Sequence, residues 1–242
     1  MAVAVAENRT TKRHEAGTPL NPSAGGKRQE EAGRWVWPER NGVTPCAWRF
    51  PIPESFFLRK AETVARELLG CCLRSTVDGV RVAGMIVETE AYVGPHDPAS
   101  HAATQIGRTQ RNRSMFGPPG RAYVYRSYGV HWCLNVVTEE VGFPSAVLIR
   151  ALDPLEGMEE MRSRRGKSAN LCAGPGRLTQ ALGVSGELDG HFFEEDPLKL
   201  LGGRQIPEVH VGTSGRIGVR HASDWPLRFF VRGHPEVSRK SW

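Results

Sequence analysis

The feature that most constrains the fold is a series of short apolar or alternating segments in the middle of the chain, separated by turns rich in glycine and proline. Such segments are typical of β-strands, because successive side chains of a strand point to opposite faces. The short connections favour antiparallel pairing. The sequence therefore predicts an α+β domain with a mostly antiparallel sheet. The predicted strands are residues 72–77, 80–93, 122–127, 131–138, 146–151, 210–219 and 227–232.

Helical periodicity is confined to three segments. Residues 55–70 carry Phe57, Ala61, Val64 and Leu68 at helical spacing, and the segment ends at a glycine. Two further helices are predicted over residues 154–165 and 176–182.

The first 50 residues differ from the rest of the chain. They mix Gly, Pro, Ser, Thr and both charges with no sustained period. Such a segment cannot bury enough apolar surface to fold, which predicts a flexible N-terminal arm at residues 1–50 and one domain over residues 51–242.

Composition excludes several classes of protein. No apolar run approaches the ~18 residues that span a bilayer, and the first residues lack the basic leader of a secretion signal. The five cysteines are irregularly spaced without a Cys-x-x-Cys pair, which argues against a disulfide framework or a zinc site. No P-loop or dinucleotide fingerprint occurs, so no cofactor and no metal are expected. The net charge of +6 favours a polyanionic partner.

Two carboxylates stand out within the predicted strand 80–93. Because side chains alternate, Glu88, Glu90 and Tyr92 share one face, and the small or apolar residues between them share the other. Like charges two residues apart on a strand repel each other mildly. A sequence can retain such a pair of carboxylates when the pair has a function. The polar face is either a solvated surface with ion pairs or a pair of carboxylates presented to a ligand.

A turn-rich stretch at residues 94–98 follows and leads to His101. The next polar segment contains Arg108, Arg111 and Arg113 with almost nothing apolar. Such a segment has the donors that phosphate oxygens accept, although a solvated basic loop would look the same.

The predicted strands 122–127 and 131–138 form a β-hairpin with a tyrosine at its tip. Tyr123 and Tyr125 share one face of the hairpin, and Tyr128 lies in the turn. An aromatic ring held out on a stiff ribbon has the shape of a wedge that enters a base stack. The alternative is that the ring folds back onto the protein surface.

Taken in order, these residues resemble the alkyladenine DNA glycosylases, also called 3-methyladenine DNA glycosylases. The resemblance runs from about Pro53 to Ser238 and implies a single α+β domain with a curved antiparallel sheet, flanking helices and a protruding hairpin. The blocks that carry it are residues 86–92, 111–113, 115–116, 123–125, 128–129, 148–152, 154–157 and 172–177.

The resemblance also implies roles for individual residues. Glu90 is expected to deprotonate a water that attacks C1′ of a nucleotide rotated out of the duplex. Arg150 is expected to hold the nucleotide and the water, with help from the backbone near Ile217. The remaining roles are a base pocket of Tyr92, His101 and Tyr125, exclusion of guanine by Asn135, filling of the vacated stack by Tyr128, and backbone contacts by Arg108, Arg111, Arg113 and Arg177.

These roles agree with physical chemistry. Attack at C1′ requires extrusion of the base, tyrosine rings stack on bases and attract cationic alkylpurines, and one carboxylate suffices as a base. The expected function is base-excision repair of 3-methyladenine, 7-methylguanine, hypoxanthine and ethenoadenine in double-stranded DNA by a monomer. No lysine neighbours Glu90 or follows the hairpin, so the enzyme is expected to be monofunctional.

Two other functions use the same residues. A non-catalytic nucleic-acid-binding module would need Glu88 and Glu90 only as structural charges. A retaining glycosidase acting on polysaccharide would use paired carboxylates but not the arginine-rich loop. The expected location is the cytoplasm or nucleoid of a prokaryote, or the nucleus of a eukaryote.

Overall fold

The computed structural model describes residues 50–100, 106–167 and 169–238. The arm predicted over residues 1–50 lies outside the described residues except for Phe50, and so does His101. Within the described ranges, no helix has both the length and the apolar character needed to cross a membrane.

Among the described residues, eight strands form one antiparallel sheet, which confirms the predicted α+β class. The order along the sheet is β3-β4-β5-β2-β1-β6, and β8 pairs with both β2 and β7. The strands are β1 Cys72–Ser75, β2 Val82–Tyr92, β3 Ala122–Ser127, β4 His131–Thr138, β5 Ser145–Glu156, β6 Leu198–Leu201, β7 Val211–Ser214 and β8 Arg228–Val231.

The sheet divides at β2, because this strand has three partners. One edge of β2 pairs with β5 along its length. The other edge pairs first with β1 and then, from Glu88 to Glu90, with β8. The strand is therefore enclosed on both edges at the two carboxylates.

In the part of the chain that the structure describes, four short α-helices accompany the sheet: α1 Glu54–Phe57, α2 Ala61–Glu67, α3 Met158–Arg165 and α4 Pro175–Leu182. Helix α2 covers the apolar face of β2, where the Thr89 hydroxyl donates to the Ala65 carbonyl at 2.7 Å. The predicted apolar side of β2 is thus confirmed as the side that faces the core. Single 3-10 turns occur at Val77–Gly79, Arg113–Phe116, Gly186–Leu188 and Glu208–His210.

Several predicted boundaries were wrong, and tertiary contacts explain them. The single helix over residues 55–70 is two helices, because the Phe57 carbonyl accepts from the Glu139 N–H at 2.8 Å and Lys60 is extended. The helix predicted from residue 154 begins at Met158, because β5 continues to Glu156 against β2.

The end of the sheet also differs from the prediction. The strand predicted over residues 210–219 ends at Ser214, and the following residues form a loop. Strand β6, which pairs with β1, was not predicted.

The pairing of β2 with β5 is irregular beside the carboxylates. Glu88 lies opposite Ala151, but the next residue, Thr89, lies opposite Ile149. Arg150 falls at this register shift. The extra residue of a β-bulge has no cross-strand partner, and here that residue is Arg150.

Candidate active site

A cavity of about 770 Å³ opens on the polar side of the sheet. It lies over a row of cross-strand neighbours in which Tyr123, Asn135, Leu148 and Glu90 follow one another across β3, β4, β5 and β2. The sheet therefore brings distant parts of the sequence to one surface. The lining includes Tyr92, Ala99, Ser100, Met115, Tyr125, Tyr128, Cys133, Arg150, Pro175, Ile217 and Gly218.

Glu90 has no exposed surface and contacts three residues that line the cavity. Its Oε1 accepts from the Ile217 N–H at 2.7 Å, and its Oε2 accepts from the Tyr92 hydroxyl at 3.1 Å. Nη1 of Arg150 lies 3.2 Å from the same Oε2. A carboxylate can accept about four hydrogen bonds, two at each oxygen, so a water that binds at Oε2 must displace Tyr92 or Arg150.

Opposing effects act on the protonation of Glu90. Burial raises the pKa of Glu90 above its ordinary value of 4.5, and this outweighs the lowering by Arg150 and by the Ile217 N–H. Burial alone would lower the pKa of Arg150, but Glu90 and Glu88 produce a net rise. Arg150 thus stays charged beside a carboxyl group of raised proton affinity.

Glu88 is also buried, so the solvated interpretation of the polar face was wrong for both carboxylates. Its Oε1 accepts from Arg228 Nε at 2.7 Å and from Arg150 Nε at 3.2 Å. Arg228 is itself 1% exposed and donates to the Ser214 hydroxyl at 2.9 Å. Glu88 therefore serves as a structural charge that orients Arg150.

A second buried ion pair supports the other side of Glu90. Arg216 donates to Asp97 at 2.8 Å through Nη2 and to the Ala91 carbonyl at 3.0 Å through Nη1. Asp97 also accepts from the backbone N–H of Ala99 at 3.0 Å. Arg216 directly precedes Ile217, so this pair fixes the N–H that binds Glu90.

Aromatic side chains form the walls of the cavity. The rings of Tyr123 and Tyr125 are stacked with centroids 5.2 Å apart, and the Arg216 guanidinium lies 4.8 Å from the centroid of Tyr92. Burial raises the pKa of Tyr92 and Tyr125 well above the ordinary value of 10, so both phenols are neutral. Nδ2 of Asn135 donates to the Tyr123 carbonyl at 2.9 Å, which fixes the amide at the cavity wall.

Tyr128 projects from the hairpin tip into solvent. Tyr128 is 89% exposed, so the alternative in which its ring folds back onto the protein surface was wrong. Tyr128 and Gly129 both have positive φ, 50° and 70°, and the Val130 N–H donates to the Ser127 carbonyl. This is the geometry of a type I′ turn, which is strained for an aromatic residue. The strained turn holds the ring away from the protein.

The predicted phosphate-binding arginines lie at the surface. Arg108, Arg111, Arg113 and Arg177 are all exposed. Arg111 lines the cavity and donates to the Arg126 carbonyl at 2.7 Å, which brings this loop close to the tip of the hairpin.

Sequence reasoning missed several residues of the site. Asp97 was visible only as part of a turn, and Arg216 lay inside a segment predicted to be a strand. The pair joins residues 119 positions apart. Their signal in the sequence is weak, because an ion pair between two loops that are far apart in the sequence produces no periodic pattern of residues.

Residues 55–235 match the family described as Methylpurine-DNA glycosylase. The chain is 45% identical over 194 residues to a protein of Methanoculleus marisnigri, covering 78% of this chain and 99% of that one. It is 50% identical over 196 residues to one of Rhodopseudomonas palustris (80% and 93%) and 48% identical over 193 residues to one of Agrobacterium fabrum (78% and 93%). Each bears the name "Putative 3-methyladenine DNA glycosylase".

The fold, the cavity and these matches define a DNA glycosylase of base excision repair, a hydrolase that acts on N-glycosyl bonds. The chain belongs to the methylpurine-DNA glycosylase family, which confirms the resemblance seen in the sequence.

We predict that Asp97→Asn strongly destabilises the protein. Removing one partner leaves the Arg216 charge buried without compensation, which costs about 3–5 kcal/mol. Asp196→Asn is the matched control, since Asp196 pairs with Lys199 near the surface and little change is expected. The free energy of unfolding in urea measures both. Equal values for the two variants would contradict a supporting role for the Asp97 pair.

Proposed function

We propose that this protein extrudes alkylated or deaminated purines from double-stranded DNA and hydrolyses the N-glycosidic bond with Glu90 as the general base. The candidate bases are 3-methyladenine, 7-methylguanine, hypoxanthine and ethenoadenine. The observation that carries the proposal is a buried carboxylate lying beneath a tyrosine-walled cavity.

In the proposed reaction, a water donates a proton to Glu90 while its oxygen attacks C1′ of the extruded nucleotide. The bond from C1′ to the purine nitrogen breaks, and the base leaves with the bonding electron pair. An alkylated purine that carries positive charge becomes neutral as it leaves, whereas a neutral purine such as hypoxanthine leaves as an anion and takes a proton from solvent. Glu90 returns its proton to solvent before the next turnover. The products are the free base and an abasic strand.

The water must reach Glu90 from the cavity. The two contacts at Oε2, from Tyr92 and Arg150, are longer than the contact at Oε1 from the Ile217 N–H, at 3.1 and 3.2 Å against 2.7 Å. We therefore place the water at Oε2, where one of these side chains moves aside. Both side chains line the cavity, so a bound nucleotide would contact them.

We assign the other proposed roles to residues that line the cavity and to arginines at the surface. Tyr92 and Tyr125 stack on the base, Asn135 crowds the exocyclic amine of guanine, and Arg150 and the Ile217 backbone hold the nucleotide and water. The four surface arginines bind phosphates, and the protein acts as a monomer. His101 remains a proposed base contact.

The complete burial of Glu90 also favours a rival assignment, in which Glu90 is only a structural charge. Substitution separates the two. We expect Glu90→Gln to reduce release of hypoxanthine and 3-methyladenine by at least about 100-fold, because general-base catalysis contributes about 10²–10⁴, while lesion-DNA binding survives. Single-turnover base release and a binding titration measure these effects.

The control for this variant is Glu159→Gln, which changes a glutamate whose side chain is 91% exposed. It should release bases at the wild-type rate. Undiminished release by Glu90→Gln would show that another group is the base.

Tyr128→Ser should slow base release from duplex DNA more than from a lesion that is already unpaired. Ring stacking contributes about 1–3 kcal/mol, and this contribution offsets the stacking lost on extrusion. Rates on the two substrates give the comparison, with Val130→Ser as a control at the same tip. Equal losses on both substrates would indicate a purely structural tyrosine.

Base release should leave the DNA strand intact. Strand cleavage by a bifunctional enzyme needs an amine that forms a Schiff base, and no lysine is among the described residues that line the cavity. Denaturing electrophoresis before and after alkali treatment tests this. Cleavage without alkali, at the rate of base release, would contradict the monofunctional assignment.

A further inference from the structure

The last described residue of the chain reaches the buried charges behind the cavity. The backbone N–H of Ser238 donates to Glu88 Oε2 at 2.7 Å, and its hydroxyl donates to Glu88 Oε1 at 2.9 Å. Nη2 of Arg150 lies 3.4 Å from the same hydroxyl.

These contacts complete the environment of Arg150. Its Nε donates to Glu88, its Nη1 lies against Glu90 and its Nη2 donates to Ser238, at 3.2, 3.2 and 3.4 Å. A guanidinium is planar, so three contacts through three different nitrogens define both its position and its plane. The orientation of Arg150 toward Glu90 therefore depends on Glu88 from β2 and on Ser238.

The segment before Ser238 is attached to the same strand as Arg150. Nε2 of His234 lies 3.5 Å from Oδ2 of Asp153, three residues beyond Arg150 on β5. Val237 is buried, and its N–H donates to the His234 carbonyl at 3.3 Å. A Cβ at Gly174 would lie 4.0 Å from Cβ of Ser238, so the chain closes against the residue that precedes α4.

We propose that Ser238 is a positioning residue that, together with Glu88, holds the Arg150 guanidinium against Glu90. Residues 234–238 would then complete the active centre. The proposal rests on the proposed function of Glu90 as the general base.

The pH dependence of base release should change when Arg150 loses its contact with Ser238. Arg150 lowers the pKa of Glu90 against the larger effect of burial. If Arg150 is held less closely, the pKa of Glu90 rises further and the ionised base is lost at a higher pH. The groups that face Glu90 are Arg150 from β5, Glu88 and Tyr92 from β2, Tyr125 from β3, Cys133 from β4, and the Ile217 N–H from the loop after β7.

Ser238→Ala tests the proposal with little risk to folding, because it removes the hydroxyl and keeps the N–H bond to Glu88. We expect single-turnover base release at neutral pH to fall by about tenfold, in line with the loss of hydrogen bonds to charged groups. We also expect the acid limb of the rate profile to move to higher pH. Ser238→Thr, which retains a hydroxyl, should restore both.

Ser185→Ala is the matched control, since the Ser185 hydroxyl accepts from the Glu187 N–H in a surface turn away from the cavity. It should leave the rate and the acid limb unchanged. A merely structural role for Ser238 would lower the melting temperature without moving the acid limb, and that result would overturn the proposal.

The two proposals can fail separately. If the wild type releases bases, Glu90→Gln does not, and Ser238→Ala matches the wild type in rate and pH profile, only the positioning role is overturned. If Glu90→Gln retains full activity, the general base is misassigned and the role of Ser238 falls with it.

Discussion

The structure depends on the neutralisation of charge buried beneath the cavity. Three carboxylates, Glu88, Glu90 and Asp97, lie among three arginines, Arg150, Arg216 and Arg228, and all six are at most 7% exposed. A buried ion without a partner costs several kcal/mol. Each of these charges must therefore lie next to a group of opposite charge. This requirement sets the relative positions of strands and loops that are far apart in the sequence.

The antiparallel sheet supplies the placement. One row of cross-strand neighbours runs through Asn135, Leu148, Glu90 and Arg228 on four different strands. Arg150, two residues after Leu148 on β5, lines the same cavity and lies at the break in the β2–β5 register. This row joins the cavity wall to the buried charges. The residues that stabilise the sheet are therefore also residues of the candidate active site.

The parts of the fold that were predicted most accurately are those with local causes. The hairpin strands Ala122–Ser127 and His131–Thr138 have the predicted boundaries, and the short turn at residues 128–130 sets the inner end of each strand. The helix over residues 55–70 was divided by a contact with Glu139, about 80 residues away, which no local pattern shows. In the same way, the roles of Arg150 and Ile217 came only from the resemblance, and the pair of Asp97 with Arg216 was not found.

The sequence alone determined the class of fold, the positions of all the described strands except β6, the alternation that puts Glu88 and Glu90 on one face, and the resemblance to the family. These follow from side-chain period, turn chemistry and ordered motifs. Only the tertiary structure decided that both carboxylates are buried, that Arg150 lies between them, and that Ser238 closes the network. The reason is that burial and ion pairing depend on distances between residues far apart in the chain, which packing sets and periodicity does not encode.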